Sequence, residues 1–284
     1  MDARELRAGD PRLRDIFDQD AERYDRARPR YPASLTERLI RATGAAPGMR
    51  ALEIAPGTGQ LTVDLAGSGC AITAVEIGPR MAAVARRRLA AFADVEVVVA
   101  AFEEWEPPAE PFDAAVCATA APAEPFDAAV CATAFHWIDP AVRLPKTAGV
   151  LRPGGLLAVI DTHHVAGGTE DFFAEVQECY ERWDPATPPG LRQTRESDLA
   201  TDTREFTGSP HFTDVTVHGH AQEITYTADQ YLDVLLTYSN HRALPEAARN
   251  GLLADIRELI ESRYDGSVTK RYWHELITAV RVAG

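Results

Sequence analysis

An acid, a glycine-rich turn and a second acid carry the most legible chemistry in this chain. Glu53 lies in the apolar run Arg50-Ala51-Leu52-Glu53-Ile54, which breaks into Ala55-Pro56-Gly57-Thr58-Gly59-Gln60-Leu61-Thr62. Such a turn lets backbone approach a ligand closely. The unpaired N–H groups of the helix it opens favour an anionic or adenosyl group. A dinucleotide fingerprint, G-x-G-x-x-G, would need a third glycine where Thr62 stands. Glu76 follows Glu53 by 23 residues, just past the next apolar run, residues 71–75. An acid at that place can accept hydrogen bonds from both hydroxyls of a ribose. His136, inside Phe135-His136-Trp137, is the best candidate for a general base; the alternative is a histidine that packs against cofactor or core. His163 and His164 are adjacent, so in an extended segment they point apart, and their spacing is not that of a zinc site. No metal is expected.

The elements around these residues must place them at one edge. Residues 11–43 read as helical, with Leu13, Ile16 and Phe17 on one face and Pro29 and Pro32 as interruptions. The helix after the turn ends at Gly67-Ser68-Gly69, and Pro79 opens another with Met81, Val84 and Leu89 on one side. Residues 95–100 form the nearly continuous apolar run of a parallel strand covered on both faces. A tandem repeat follows: residues 108–121 and 122–135 share their first thirteen positions. Each copy encodes the same apolar strand, so both compete for one place in a sheet. The second copy, residues 128–133, runs directly into Phe135 and is expected to fill it. The first would bulge out as a longer loop, at a cost of about 0.6 kcal/mol per doubling of length.

Asp139 can cap, and Pro140 begin, a helix toward Leu151. Arg152-Pro153-Gly154-Gly155 reads as a turn, and residues 156–160 as a strand ending at Asp161. Phe172, Phe173, Val176 and Tyr180 mark a further helix, followed by a Pro-rich stretch at 184–190; this region suits a substrate cover. Residues 212–227 alternate about Gly219 like a hairpin, and helices are expected at 228–238, 246–262 and 270–282. Repeated strand–helix units followed by a terminal hairpin imply a doubly wound α/β sheet. It would bind ligand where the strand order reverses.

With 284 residues, 45% of them hydrophobic, the chain can bury a full core without staples. It divides into a helical lead or cap at 1–43, a core at 44–165, and a cover, hairpin and closing helices at 166–284. The net charge of -14 disfavours a nucleic-acid partner, and no apolar run approaches the roughly 20 residues of a membrane span. The first residues are charged, with no apolar signal region, which makes the cytoplasm the expected location. Four cysteines without a C-x-x-C argue against a disulfide framework.

The phrase Glu53-Ile54-Ala55-Pro56-Gly57-Thr58-Gly59 resembles motif I of the class I S-adenosylmethionine (SAM)-dependent methyltransferases. The segments at 71–77, 134–140 and 150–161 extend that resemblance, as does the lead from Phe17 through Tyr24 and Arg28 to Tyr31 and Pro32. It implies a Rossmann-like seven-stranded sheet of order 3-2-1-4-5-7-6 with strand 7 antiparallel, a helical cap and added C-terminal helices. It implies SAM as cofactor and a small organic molecule as methyl acceptor. By the resemblance, Glu53 orients the turn and the methionine moiety, while Ala55, Pro56, Gly57, Gly59 and Leu61 line the cofactor. Ala55 stands where the family usually has a glycine, which requires its φ to stay negative. Glu76 would hold the ribose, and Ile77 and Met81 the adenine. Ala101 and Phe102 match the adenine-binding segment, with alanine replacing the usual aspartate. Thr133, Ala134, Phe135 and His136 would close the other side, and Tyr24 and Tyr31 would fold over the cofactor. A SAM-binding protein without turnover stays open as an alternative, as does, at greater distance, a nicotinamide oxidoreductase.

Overall fold

The fold grows from apolar runs too short for helices. In β1 (Arg50–Ile54) the four residues Ala51 to Ile54 are all buried, so both faces of the strand are covered. β2 (Ala71–Glu76) lies parallel to it on one side and β4 (Phe126–Ala132) parallel on the other. These registers set Glu53 beside Ala74 and Val130. β3 (Val95–Val99) pairs with β2, also parallel. The computed structural model describes residues 17–107 and 124–283. β4 is therefore built from the second copy of the tandem repeat, while the first copy lies outside the described residues.

Among the described residues the sheet is seven-stranded and mixed, in the order β3-β2-β1-β4-β5-β7-β6, with β5 (Leu151–Gly168), β6 (Phe212–Thr227) and β7 (Ser267–Arg281). Val282 N–H bonds to His211 C=O and Ala228 N–H to Gly266 C=O. These bonds bracket β6 and β7 at opposite ends, the mark of an antiparallel pair. The strand order reverses at β1 and β4, as the doubly wound reading requires.

Three expectations are corrected. Residues 152–155 are not a turn before a strand at 156–160 but an irregularity inside β5, which runs from Leu151 past Asp161 to Gly168. Residues 212–227 are one continuous strand, not a hairpin about Gly219. The glycine is there because the indole of Trp273 crosses it: a Cβ would come within 1.8 Å of Trp273 Cζ2. Residues 270–282 are not a helix but the greater part of β7. Its first half alternates buried and half-buried side chains, and its second half is buried continuously from His274 to Ala279. Periodicity cannot separate a run of that second kind from a buried helix.

The helices follow their sequence signals more closely. They are α1 (Ala21–Ala27), α2 (Ala33–Thr43), α3 (Gln60–Ala66), α4 (Pro79–Leu89), α5 (Pro140–Val150), α6 (Glu170–Trp183), α7 (Arg204–Thr207), α8 (Ala228–Leu235), α9 (Ser239–Ala243) and α10 (Glu246–Arg263). Asp139 caps α5 by accepting from Ala141 N–H at 2.8 Å, with Pro140 in the first turn. α4 opens on Pro79, buries Met81, Ala82, Val84, Ala85 and Leu89, and ends in three arginines that complement its dipole. Arg86 also ties α4 to β3 by donating to Val97 C=O at 2.7 Å. None of the described helices is long and apolar enough to cross a membrane.

The chain forms two compact units. One comprises described residues up to Leu35 with Asp161–Asp202 and His218–Leu276. The other comprises Thr36–Ile160, Thr203–Val217 and residues from Ile277. The core of the second packs Leu52, Phe102, Trp105, Phe126, Phe135, Leu157, Phe206 and Phe212. The first has its own core, in which Phe172 meets Phe173, Tyr231 and Tyr264 edge to face. Edge-to-face rings add about 0.5–1.5 kcal/mol per pair beyond their burial.

Candidate functional site

The second unit holds the acids and the turn. Beyond β1 the backbone turns left-handed at Ala55 (φ 54°), Gly57 (φ 61°) and Gly59 (φ 80°). The negative φ required of Ala55 is thus corrected: its methyl sits in the left-handed region, a strain of about 1–2 kcal/mol for a residue with a Cβ. The turn is tied on both sides, and this holds Ala55 there. Ala55 N–H donates to Val75 C=O at 2.9 Å, and Gly59 N–H to Pro56 C=O at 3.0 Å. Gly59 is doubly constrained, since a Cβ would also press to 3.1 Å from Leu89 Cδ1 on α4.

Glu76 grips this turn from the end of β2. One carboxylate oxygen accepts from Gly57 N–H at 2.8 Å, and the other from Gly78 N–H at 2.8 Å. Ile77 follows it with 42% of its surface exposed, an apolar side chain placed beside a buried acid. Glu53 is 1% exposed, and its Oε2 has no hydrogen-bond partner among the described residues; the same holds for Oγ1 of Thr58 and of Thr62. Burial pushes the Glu53 carboxyl up to about 7. Thr62, close but not at hydrogen-bonding geometry, works against that rise, and Glu76 and Asp64 add to it. Buried polar atoms are seldom left unsatisfied, and three of them on the strand, turn and helix of one segment, residues 53–62, suit a polar ligand.

Across β1, the loop after β4 is equally constrained. Thr133 has φ 56°, donates its N–H to Ile160 C=O at 2.7 Å, and turns its hydroxyl onto Ala132 C=O at 2.8 Å. Phe135 is buried and stacks on Phe206 with ring centroids 5.9 Å apart. Arg143 on α5 lies over the Phe135 ring at 5.1 Å and donates to Phe135 C=O at 3.1 Å. It also forks onto Glu205, with Nε to Oε1 at 2.6 Å and Nη2 to Oε2. His136 is consequently an exposed ring on a fixed loop, 5.2 Å from the Trp137 ring. Arg143 and Glu205 went unsuspected in the sequence, because a spacing of 62 residues inside ordinary helices carries no motif.

The other sequence-predicted residues fall into two groups. Pro56, Ala101 and Ala134 are half-buried, whereas the side chains of Leu61, Met81, Phe102 and Phe135 belong to the core, leaving their backbone as the part a ligand can meet. Tyr24 and Tyr31 belong to the first unit. There the guanidinium of Arg28 lies 5.0 Å from the Tyr24 ring, and Tyr31 packs edge-on to His274 at 5.8 Å. His163 pairs with Glu275 at 3.2 Å, while His164 packs between Tyr238 and Tyr272. Among the described residues no three His, Cys, Asp or Glu side chains gather as metal ligands. A shallow hollow lined by Arg50, Ile72, Asp94 and Phe126 lies at the amino ends of the strands, opposite the edge that carries the acids and the turn.

Residues 52–157 match a family described as a methyltransferase domain. An uncharacterized methyltransferase of Mycobacterium tuberculosis is 34% identical over 137 residues, 48% of this chain and 48% of the relative. The chain thus spans about half the length of the curated relatives it matches. Among solved structures, a protein of Anaeromyxobacter dehalogenans described as a candidate type II methyltransferase aligns with a TM-score of 0.54 and 23% identity, over 89% of this chain and 97% of that one. A phosphoethanolamine N-methyltransferase of Haemonchus contortus, solved with phosphomonomethylethanolamine and S-adenosylhomocysteine, aligns with a TM-score of 0.53 and 17% identity, over 95% and 60%. Residues 52–157 thus match a methyltransferase domain, and the seven strands follow the Rossmann-like order β3-β2-β1-β4-β5-β7-β6.

Proposed function

We propose that the protein binds SAM at the turn after β1 and transfers its methyl group to a small organic acceptor. The carrying observation is the turn itself: left-handed Ala55, Gly57 and Gly59, gripped by Glu76 and following the orphaned Oε2 of Glu53 in the chain. In this reading Glu76 accepts from the ribose and Ile77 covers one face of the adenine. Ala101 and the backbone of Phe102 border that base, and Met81 backs it from the core. Pro56, Gly57, Gly59 and Leu61 admit the ligand to the turn. Glu53 holds the turn and the amino acid end. Thr133, Ala134, Phe135 and His136 close the far side. The family and the S-adenosylhomocysteine held by the Haemonchus contortus relative support this assignment.

SAM, when bound, supplies a methyl group already activated by the sulfonium charge. The protein's work is then to position and to exclude water, and the fixed loop after β4 suits that task. His136 accepts a proton only where the acceptor must lose one, and its exposed ring can pass that proton to solvent.

Calorimetric titration tests the reading. SAM should bind saturably and NADH should not, and Glu76→Ala should weaken SAM by about 100-fold, because a charged acceptor of several hydrogen bonds is removed. Folded protein that fails to bind SAM overturns the assignment. The left-handed Ala55 favours one rival, a SAM-binding protein without turnover. Tight binding with no labelled methyl transferred to any member of an acceptor panel would select it.

A further inference from the structure

Lys270 in β7 is 4% exposed, and among the described residues its ammonium makes no hydrogen bond and no carboxylate pair. What faces it is aromatic: Nζ lies 4.7 Å from the Phe173 centroid and 5.7 Å from that of Tyr272. Ring faces attract a cation but replace only part of its lost hydration. Lysine is almost never buried this far without a partner. Burial by itself draws its pKa down to about 7. The surroundings on neighbouring elements are basic or phenolic. His164 from β5 packs against Tyr238 and Tyr272 at 5.2 and 5.4 Å. Its protonation is suppressed first by burial and then by Lys270, Arg28, His241 and His163. Arg28 lies across the Tyr238 ring at 4.4 Å. The Tyr238 hydroxyl is buried and makes no aligned hydrogen bond among the described residues, although Tyr272 is near enough to influence its ionisation. The Tyr272 hydroxyl itself meets that of Tyr226 at 3.0 Å.

A buried cation and a buried hydroxyl, each lacking an acceptor and linked through His164 and Tyr272, form half of a recognition site. We propose that Lys270 and Tyr238 receive the carboxylate or phosphate of a small acidic ligand. An acid there gives Lys270 the ion pair it lacks and Tyr238 an oxygen to donate to. A chain of net charge -14 repels anions at long range, so its preference for an acid must come from desolvated contacts of this kind.

The test uses the full chain without SAM. Benzoate, succinate, phenyl phosphate and inorganic phosphate are titrated by calorimetry, with benzamide and succinamide as neutral counterparts; the two kinds of acid separate carboxylate from phosphate recognition. At least one acid should bind saturably where its neutral counterpart does not. Lys270→Met should weaken it by about tenfold or more and Tyr238→Phe by less, with SAM affinity unchanged in both. Lys270→Met should also melt above the parent, which separates loss of a receptor from loss of structure. The proposal falls if no acid binds, if the amides bind as well, if Lys270→Met binds acid unimpaired, or if that variant melts lower or fails to fold. Should SAM fail to bind while the acids behave as expected, the methyl-transfer reading falls and the acid site stands.

Discussion

Glu53 and Lys270 are two buried ionisable groups of opposite sign, one in each unit, and both are drawn toward a pKa of about 7 chiefly by loss of water. Their surroundings differ. Glu53 precedes a backbone turn rich in dipoles and feels Glu76 and the Thr62 hydroxyl. Lys270 stands among rings, and burial alone moves it. A turn offers fixed N–H groups that an incoming ligand completes, whereas rings offer only faces, so the charge among rings depends more on a ligand of opposite sign. Two uncompensated charges in separate cores teach that this chain holds back stability in two places, and that pH can read each separately.

The largest expected effect comes from Lys270→Met. A lysine whose folded pKa lies below its unfolded value binds fewer protons folded than unfolded between about pH 7 and 10.5, so its contribution to stability rises with pH across that window. Below pH 7 the charged amine costs the folded state on the order of 5 kcal/mol. The variant should exceed the parent by up to about that much at pH 6, with the gap closing toward pH 10; urea denaturation at both values measures it. A gap independent of pH would mean that Lys270 already has a partner.

Glu53→Gln should show the opposite slope. A carboxyl with a raised folded pKa loses stability as pH climbs from about 4.5 to 7, by roughly 3 kcal/mol. The variant should therefore match the parent near pH 4.5 and exceed it above pH 7. If both variants slope the same way, the contrast between the two units is wrong. Ala55→Gly is smaller: relief of the left-handed strain should raise stability by about 1 kcal/mol, less whatever the freer unfolded chain takes back. Smallest of all, deleting residues 108–121 should leave the melting temperature unchanged or slightly raised. A collapse would mean that β4 needs the first copy.

The first unit was the harder of the two to read. Glu53, Gly57, Gly59 and Glu76 declare themselves because strand, turn and helix are contiguous and the chemistry follows the chain. Lys270 was hidden by the misassignment of β7: as a helical residue it would have been one more solvated charge. The alternation that places Lys270, Tyr272 and His274 on one face appears only once the segment is a strand. Gly219 misled for a related reason, since a glycine that admits an indole from the neighbouring strand looks locally like one that turns the chain. The sign of φ at Ala55 was beyond reach as well, because hydrogen bonds from distant segments, not alanine's own preference, decide it.

β4 has a consequence for how the chain is made. Its sequence leaves the ribosome twice, and the copy that ends in the sheet emerges second. At about 5–20 residues per second, β1 is in the company of the first copy alone for roughly one to three seconds. The two copies offer β1 the same residues, so nothing in that pairing distinguishes them. Selection waits for what only the second copy brings: Phe135, its stack on Phe206 and the Arg143 clamp. What tells the two copies apart is the chain that follows the strand, not the strand itself.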